Sequence, residues 1–380
     1  MKILYITNYD SMYGANQSLF HMMKLLKESY GIEPYLLVPG GGEIGELCAK
    51  EEIPCICEDF RISYLDVNTS HLGFRKMTRR IMRIFDYLKI FTKIHKKGLA
   101  FDLIHSNSSV FDIGYCLARW WKIPHIWHIR EFAEKDYGLV SSLPAYMEKR
   151  EYRKTDTIIA ISNAIQEYVQ EKKSNANIER IYNGINIPIP YQKQYYKDGV
   201  TNFCIIGSLS WKKNQLDVVK ACAELMHRGI EKFRLYIVGD FSGEQAIAIE
   251  HYLQQKDSLK DKIVITGFCK DVNEFLKGMD VGIMASEAEA FGRVTVEYMA
   301  NYMPVIGTNA GGTPEILGNT QEMFAPHDIQ KLADLMEKYI DNRELIEHCG
   351  QEGRKRAEMF DAKTNANKIY NLYQTVIKDK

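Results

Sequence analysis

Short apolar runs alternate along the chain with longer segments in which apolar residues recur every three or four positions. The run Ile3–Ile6 predicts a buried strand, and the apolar positions within Asn16–Lys27 predict a helix directly after it. This alternation is typical of βαβ units that build a mostly parallel sheet. It predicts further strands in the first half of the chain at Tyr35–Val38, Leu103–His105, Ile126–His128 and Thr157–Ala160.

A second series of strands and helices begins at Phe203–Ile206. Between the two series, Ile185–Gln192 contains two prolines and predicts a linker, which Tyr195–Gly199 extends. The chain is therefore predicted to be an α/β protein with two doubly wound domains and a boundary at residue 188. The later strands of the second series are predicted at Leu235–Val238, Ile263–Thr266, Val281–Met284 and Pro304–Gly307.

The composition favours a globular protein of two ordinary domains. Of its 380 residues 46% are hydrophobic, and 49 Lys and Arg residues balance 49 Asp and Glu residues, which argues against a dedicated nucleic-acid binder. No apolar run reaches the ~18 residues of a spanning helix, and the run after Met1 is too short for a signal peptide. The eight scattered cysteines indicate reduced core residues, so we expect a cytoplasmic protein.

The most informative segment follows the predicted strand Val281–Met284 and runs E-A-F-G-R-V-T-V-E from Glu289 to Glu297. A strand, a glycine-containing turn and a helix place a helix N-terminus at the carboxyl edge of a parallel sheet, where ligands bind. A cation in the first helical turn opposes the helix dipole, and a bound anion would remove that conflict. The residues expected to cradle a diphosphate through backbone N–H groups are Phe291, Gly292, Arg293 and Val294.

Two acidic residues flank this cradle. Glu289 precedes the predicted helix and Glu297 lies inside it. A carboxylate cannot bind phosphate, but it accepts hydrogen bonds from the hydroxyls of a ribose or a hexose. The alternative is two ordinary surface glutamates beside a solvated arginine.

The loop Gly207–Gln215 follows the first strand of the second series and opens a helix. We choose Lys213 over Lys212 as the lysine that neutralises a phosphate there. Gly311 and Gly312 follow another strand, where they permit close approach of the backbone. Solvated lysines and a turn without a ligand are the structural alternatives.

In the first half of the chain, Gly14 lies between the first strand and the first helix, and His128 ends a strand. The same edge argument makes both candidates for ligand contact, although a histidine at a strand end is often structural. The segment Gly40–Gly45 fits G-x-G-x-x-G, but it follows the second strand and Pro39 separates it from that strand. A dinucleotide fingerprint should join strand and helix directly, which disfavours a nicotinamide or flavin oxidoreductase.

These segments together resemble family four of the glycosyltransferases, retaining enzymes of the GT-B architecture. The resemblance rests on Glu289-x7-Glu297 and on an ordered set of shorter motifs that spans nearly the whole chain. These motifs are Tyr13-Gly14-Ala15, Asp102–His105, His128, Ile159–Ser162, Tyr182–Asn186, the Lys213 loop, Val238–Asp240, Thr266–Phe268 and Gly311–Glu315.

The resemblance implies two Rossmann-like domains with a cleft between them. Residues 1–188 would bind the acceptor, residues 189–361 would bind the nucleotide sugar, and a C-terminal helix, 362–380, would pack back on the first domain. It implies further that Glu297 binds the ribose and Glu289 the hydroxyls of the donor sugar. Lys213 would hold the diphosphate together with the amides that follow Gly292.

By the same resemblance, Gly14 would lie near the donor phosphates and His128 near the transferred sugar. Ser208 stands in the donor-binding loop where the family often has arginine, and Arg293 partly replaces that charge. The sequence contains no D-x-D, which fits stabilisation of the leaving diphosphate without a metal. We therefore expect a nucleotide-diphosphate sugar as donor substrate and no metal or other cofactor.

The segment 71–98 predicts a basic amphipathic helix with nine Lys or Arg residues and one acidic residue, Asp86. Such a helix can lie on an anionic bilayer, and the alternative is a surface helix with a buried apolar stripe. We expect peripheral attachment to the inner face of the cell membrane. A lipid-linked saccharide acceptor, as in the synthesis of surface polysaccharides, would fit that location.

The sequence as a whole predicts a metal-independent hexosyltransferase. Two alternatives stay open, a nucleotide-sugar epimerase of the same architecture and a non-catalytic protein that binds sugar nucleotides. An epimerase needs no acceptor, and a binding protein would show no turnover.

Overall fold

The structure is a computed structural model that describes residues 1–69, 71–172, 175–195, 199–319 and 322–379. The chain divides into two compact units, which are Met1–Gly184 with Ala362–Lys380 (unit 1) and Ile185–Asp361 (unit 2). The predicted boundary at residue 188 lies slightly further along the chain. Residues 196–198 of the predicted linker lie outside the described residues.

Unit 1 is an α/β unit with a parallel sheet. Its strands are β1 (Lys2–Ile6), β2 (Glu33–Val38), β3 (Cys55–Cys57), β4 (Tyr64–Asp66), β5 (Leu103–Ser106), β6 (His125–Ile129), β7 (Leu139–Ser141), β8 (Thr157–Ala160) and β9 (Ile178–Arg180). Seven strands form one sheet in the order β3-β2-β1-β5-β6-β8-β9, and β4 and β7 form an antiparallel pair. Its helices are α1 (Gly14–Tyr30), α2 (Gly42–Lys50), α3 (Leu72–Lys96), α4 (Ile113–Trp121), α5 (Ala133–Tyr137), α6 (Ala145–Lys154) and α7 (Asn163–Lys172).

Unit 2 repeats this plan. Its strands are β10 (Thr201–Ile206), β11 (Phe233–Val238), β12 (Ile263–Gly267), β13 (Val281–Met284), β14 (Val305–Thr308) and β15 (Met323–Phe324), which form a parallel sheet in the order β12-β11-β10-β13-β14-β15. Its helices are α8 (Gln215–His227), α9 (Gly243–Gln254), α10 (Val272–Leu276), α11 (Arg293–Ala300), α12 (Thr313–Leu317), α13 (Ile329–Tyr339) and α14 (Arg343–Ala357). The last helix of the chain, α15 (Ala362–Lys378), belongs to unit 1.

The first strand shows why the sheet of unit 1 is buried on both faces. Ile3 and Tyr5 pack in one core with apolar residues of α1 and α15, and Leu4 and Ile6 pack in a second core with residues of α3 and α4. A strand covered on both faces is apolar throughout, which is why β1 appears in the sequence as a continuous apolar run. On the outer side of the first core, Tyr370 of α15 stacks on Tyr30 of α1 with 4.3 Å between ring centroids.

The strand order of each sheet reverses at one place. In unit 2, β10 lies between β11 and β13, and in unit 1, β1 lies between β2 and β5. Chains on the two sides of such a point leave the sheet in opposite directions, which opens a crevice at the carboxyl ends of the strands. The loops after β10 and β13, and those after β1 and β5, therefore meet at the favoured ligand positions of their units.

Candidate functional site

Helix α11 is anchored at the carboxyl edge of the sheet of unit 2 by Tyr298. The hydroxyl of Tyr298 accepts a hydrogen bond from the backbone N–H of Ile206, at the end of β10, over 2.9 Å. Its ring lies against Gly282 of β13, where a Cβ would overlap the ring. This packing ties α11 to the end of β10 and to β13.

The loops that carry Lys213 and Glu289 are joined at this edge. The ammonium of Lys213 forms an ion pair with the carboxylate of Glu289, and their side chains are only 34% and 18% exposed. The backbone N–H of Glu287 donates to the carbonyl of Lys212 over 3.0 Å. The structure thus brings together two residues that the sequence predicts for one site, although they lie in different loops.

Asn214 is a further residue of this site, and the sequence analysis did not identify it. It is buried, adopts a left-handed backbone conformation with φ +54°, and donates from Nδ2 to the carbonyl of Ala285 over 3.0 Å. Asparagine tolerates that conformation better than most residues. Its position directly before α8, where Asn is a favoured cap, is the signal that could have identified it.

We expect Asn214→Ala to lower the free energy of unfolding by about 1–3 kcal/mol, because the variant leaves the Ala285 carbonyl without its donor and strains the backbone. It should also weaken the binding of a nucleotide sugar, since Lys213 precedes it. Asn214→Gly keeps the backbone conformation and removes only the hydrogen bond, so it should lower the free energy of unfolding by less than Asn214→Ala does. Chemical denaturation of the three proteins measures this, and equal stability of all three would contradict the assigned role.

The turn before α11 has the geometry that the sequence predicts. Gly292 adopts φ +82°, a conformation that glycine accepts without strain, and α11 begins at Arg293. The backbone N–H of Val294 lies in the first turn, where a helix supplies no acceptor of its own. The Arg293 guanidinium lies 3.3 Å from the carboxylate of Glu297, which offsets its conflict with the helix dipole.

Gly311 and Gly312 pack directly on the main chain of Glu289. The backbone N–H of Gly312 donates to the Glu289 carbonyl over 2.6 Å. A Cβ on Gly311 would lie 2.6 Å from the backbone nitrogen of Glu289. These glycines are therefore needed to support the Glu289 loop, whether or not they also face a ligand.

Ser208 is exposed and belongs to the neighbouring part of the edge. Its carbonyl accepts a hydrogen bond from the side chain of Gln215 over 3.1 Å. A Cβ on Gly239, at the end of β11, would overlap the carbonyl of Gly207. The segment Gly207–Ser208 thus contacts α8 and the loop after β11.

In unit 1, His128 is the penultimate residue of the buried strand β6 and belongs to a chain of hydrogen bonds. Its Nδ1 lies 3.1 Å from Nε2 of His105 and 3.3 Å from Nη2 of Arg130. His105 in turn contacts the hydroxyl of Tyr373, on α15, through Nδ1 over 2.8 Å. The chain of contacts therefore connects the last helix to the end of β6.

This geometry fixes the proton positions on His128. An arginine nitrogen can only donate, so Nδ1 of His128 accepts. Burial, followed by the charge of Arg130, lowers the pKa of His128 well below its ordinary value, so the ring is neutral and carries its proton on Nε2. That Nε2 is buried and has no hydrogen-bond partner among the described residues. His128 is therefore set up to donate a hydrogen bond to a ligand.

The two histidines give a testable pH dependence. Burial also lowers the pKa of His105 well below its ordinary value. Both imidazoles titrate near pH 6.5 in the unfolded chain, so above about pH 6.5 they are neutral in the folded and the unfolded chain alike. In that range they do not make the free energy of unfolding depend on pH. Below it, each should lower the free energy of unfolding by up to about 1.4 kcal/mol per pH unit, until its folded-state pKa is reached.

Urea unfolding at several pH values below and above this range measures the effect in the wild type and in His105→Gln/His128→Asn. The variant lacks the two groups, so its stability should fall less steeply on acidification. Parallel curves for the two proteins would show that these histidines are not buried as neutral groups.

Gly14 is exposed and begins α1, at the end of the loop after β1. That loop is organised by buried Asn16, which accepts from the Thr7 hydroxyl over 2.6 Å and donates to the carbonyls of Tyr9 and Ser11 over 2.9 Å each. Asn107, in the loop after β5, donates to the carbonyl of Ala15 over 3.3 Å. The start of α1 is thus held next to the loop after β5, the other loop at the point where the strand order of this sheet reverses.

Arg130 joins this loop system to His128. Its Nε donates to Asn107 over 2.6 Å, and its Nη1 donates to the side chain of Asn183. Asn183 precedes Gly184, where a Cβ would lie 2.8 Å from Cα of Ala362 at the start of α15. Sequence analysis assigned no role to Arg130, because its partners Asn107 and Asn183 lie far from it along the chain.

Comparison with known proteins gives matches over most of the chain. Residues 13–187 match the family model "Glycosyltransferase Family 4" and residues 192–356 match "Glycosyl transferases group 1". The N-acetyl-alpha-D-glucosaminyl L-malate synthase of Bacillus anthracis is 27% identical over 242 residues, which is 59% of this chain and 61% of that protein. The capsular polysaccharide biosynthesis glycosyltransferase CapM of Staphylococcus aureus is 26% identical over 193 residues, half of each chain.

Solved structures show the same fold over the whole length. HepE of Anabaena, in complex with UDP-glucose, superposes with a TM-score of 0.77 at 19% identity, covering 99% of this chain and 100% of that one. This likeness confirms the predicted GT-B architecture of two α/β units with parallel sheets.

Proposed function

This chain belongs to glycosyltransferase family 4, and on that premise we propose that it transfers a hexose from a nucleotide-diphosphate sugar to a lipid-linked saccharide in polysaccharide synthesis. The observation that carries the proposal is the joined position of Lys213, Glu289 and the N-terminus of α11 at the switch point of the unit 2 sheet. A cation, the backbone amides of a helix N-terminus and an acceptor of hydroxyl protons are the groups that a sugar diphosphate requires.

In the proposed complex, the diphosphate lies against the amides of Gly292–Val294, and Lys213 neutralises its charge. The carboxylate of Glu289, which pairs with Lys213 in the ligand-free chain, accepts hydrogen bonds from the sugar hydroxyls. Glu297 accepts from the ribose, and Ser208 and Phe291 complete the donor-binding loops. In unit 1 taken by itself, His128 donates from Nε2 to an oxygen of a ligand at the carboxyl edge of that sheet, and Gly14 begins α1, whose N-terminus favours an anionic group.

We propose that transfer proceeds with retention of the anomeric configuration and without a metal ion. The bond from the anomeric carbon to the diphosphate breaks, and the nucleoside diphosphate leaves with the bonding electrons. The acceptor hydroxyl attacks the same face, and its proton passes to an oxygen of the leaving diphosphate. Lys213 and the helix amides stabilise the charge that develops on the leaving group.

The lipid-linked acceptor and the inner membrane face are proposed from two observations. CapM, a relative, is described as acting in capsular polysaccharide biosynthesis. Helix α3 exposes large apolar side chains among its cations, as Phe74, Ile84 and Phe85 are at least 58% exposed. Within the described residues, no helix is both long and apolar enough to cross a bilayer. Peripheral contact through residues 71–98 fits these observations.

The proposal is tested by thermal unfolding in the presence of UDP-, GDP- and dTDP-sugars. A donor at about one hundred times its Kd should add about 2.7 kcal/mol to the free energy of unfolding. Incubation of the stabilising donor alone then separates the epimerase from the transferase, since only an epimerase converts the sugar without an acceptor. Absence of stabilisation by any nucleotide sugar would contradict the proposed function.

A further inference from the structure

A cavity of about 620 Å³ opens beside the first half of α3. Its walls combine cationic and apolar side chains. The residues that line it are Arg61, Leu65, His71, Phe74, Arg75, Thr78, Arg79 and Met82.

The positive charges of this cavity are poorly compensated. Of its three arginines, Arg61 forms an ion pair with Asp86 over 2.6 Å. Arg75 and Arg79 have no ion pair within the described part of the chain. Burial, followed by the charges of Arg61, Arg83 and Arg75, lowers the pKa of Arg79. An anion bound in the cavity would relieve this repulsion, and guanidinium groups match the geometry of phosphate oxygens.

The apolar side of the cavity continues along the helix. Phe74, Met77, Ile81, Ile84 and Leu88 recur every three or four positions, so they form one stripe, and each is at least 41% exposed. This stripe differs from the buried face of α3, which consists of Arg83, Tyr87, Ile90 and Ile94. Core packing therefore does not explain it. An exposed apolar stripe between cations is what a helix in the membrane interface presents.

We propose that this cavity binds the phosphate or diphosphate head of the lipid-linked acceptor while the stripe of α3 lies in the bilayer. Arg75 and Arg79 bind the head group, and Phe74 and Met82 contact the first carbons of its chain. The identification of this lipid as the acceptor rests on the proposed function, whereas recognition of a lipid phosphate does not. Binding of a head group in this cavity is specific, whereas the charge of α3 alone predicts only a general attraction to anionic surfaces.

The test uses the full chain and two kinds of phosphatidylcholine vesicle at one ionic strength. One contains a long-chain polyprenyl diphosphate, and the other contains phosphatidylglycerol at matched charge. The wild type should bind the diphosphate vesicles about tenfold more tightly, because paired guanidinium–phosphate contacts add to the general attraction. Arg75→Gln/Arg79→Gln should lose this preference.

Lys96→Gln/Lys97→Gln is the matched control, since it removes two charges from the other end of the same basic segment. It should weaken binding to both vesicles alike and keep the preference. The proposal is overturned if the wild type binds both kinds of vesicle equally, or if the arginine variant keeps the preference for the diphosphate vesicles. It is also overturned if soluble inorganic pyrophosphate releases the protein from the diphosphate vesicles as effectively as added polyprenyl diphosphate does, because the cavity would then recognise free phosphate and not a lipid.

The arginine variant should be stabilised by nucleotide sugars as strongly as the wild type, because the Lys213 loop is unchanged. A wild type that no nucleotide sugar stabilises would contradict the proposed function, and the vesicle preference would still decide whether the cavity binds a lipid phosphate. The two failures are thus distinguishable.

Discussion

Lys213→Ala is expected to lower the rate of sugar transfer by at least about tenfold, since removing one group that stabilises developing anionic charge typically costs about a hundredfold to a thousandfold. The lysine offers a compact charge to the diphosphate, whose negative charge grows as the sugar leaves. The loss should therefore fall mainly on kcat. A donor-consumption assay at saturating nucleotide sugar measures it.

Lys212→Ala is the natural control for this prediction. Lys212 is the neighbouring lysine, with an exposed side chain, and its contact to Glu287 uses the backbone carbonyl, which the substitution retains. Its rate should stay close to that of the wild type. Equal losses for the two variants would point to general charge in the loop, and an unimpaired Lys213→Ala would remove this residue from the site.

Glu289→Gln should also lower turnover by at least about tenfold, because a neutral amide accepts weaker hydrogen bonds from the sugar hydroxyls in the transition state. Glu297→Gln is its counterpart on α11. It should weaken the binding of the nucleotide sugar and of the free nucleotide alike, since the proposed partner of Glu297 is the ribose. Calorimetric titration of both ligands against both variants separates the two roles.

The ion pair between Lys213 and Glu289 predicts how the effects of the two substitutions combine. Residues in contact do not act independently, so the double variant should lose less activity than the product of the two single losses. Fully multiplicative losses would mean that the two side chains act independently in the transition state. If instead Glu289→Gln weakened the free nucleotide as much as the nucleotide sugar, its assignment to the sugar would be wrong.

The sequence predicted the alternating framework because strands buried on both faces are apolar throughout. The strands Thr157–Ala160 and Val281–Met284 were predicted at their observed bounds, and α3 was predicted at 71–98 and observed at Leu72–Lys96. Short strands escaped prediction, such as β3 and β15. Two or three residues carry too little periodicity to be separated from a loop.

The faces of α3 could not be predicted from periodicity alone. Met77, Ile81, Ile84 and Leu88 have helical spacing, which indicated an apolar stripe and left open whether it was buried. In the structure these four side chains are exposed, and the neighbouring face with Tyr87 and Ile90 packs in the core. A helix with two apolar faces has no single pattern that tells which one the protein covers.

Residues of the candidate site were predictable where one local motif carries them. Gly292 and Glu297 follow from the order of strand, turn and helix around them. The partners of His128 were not predictable, since His105, Arg130 and Tyr373 come from separate elements that only the fold brings together. The role of the site residues in binding and transfer stays a prediction.

A crystal of the protein soaked with the nucleotide sugar that stabilises it most gives the sharpest test of the donor site. The diphosphate is expected within hydrogen-bond distance of the Val294 amide and of Nζ of Lys213, with a carboxylate oxygen of Glu297 on the ribose. A diphosphate bound at any other place, with the Lys213–Glu289 ion pair undisturbed, would contradict the proposed site.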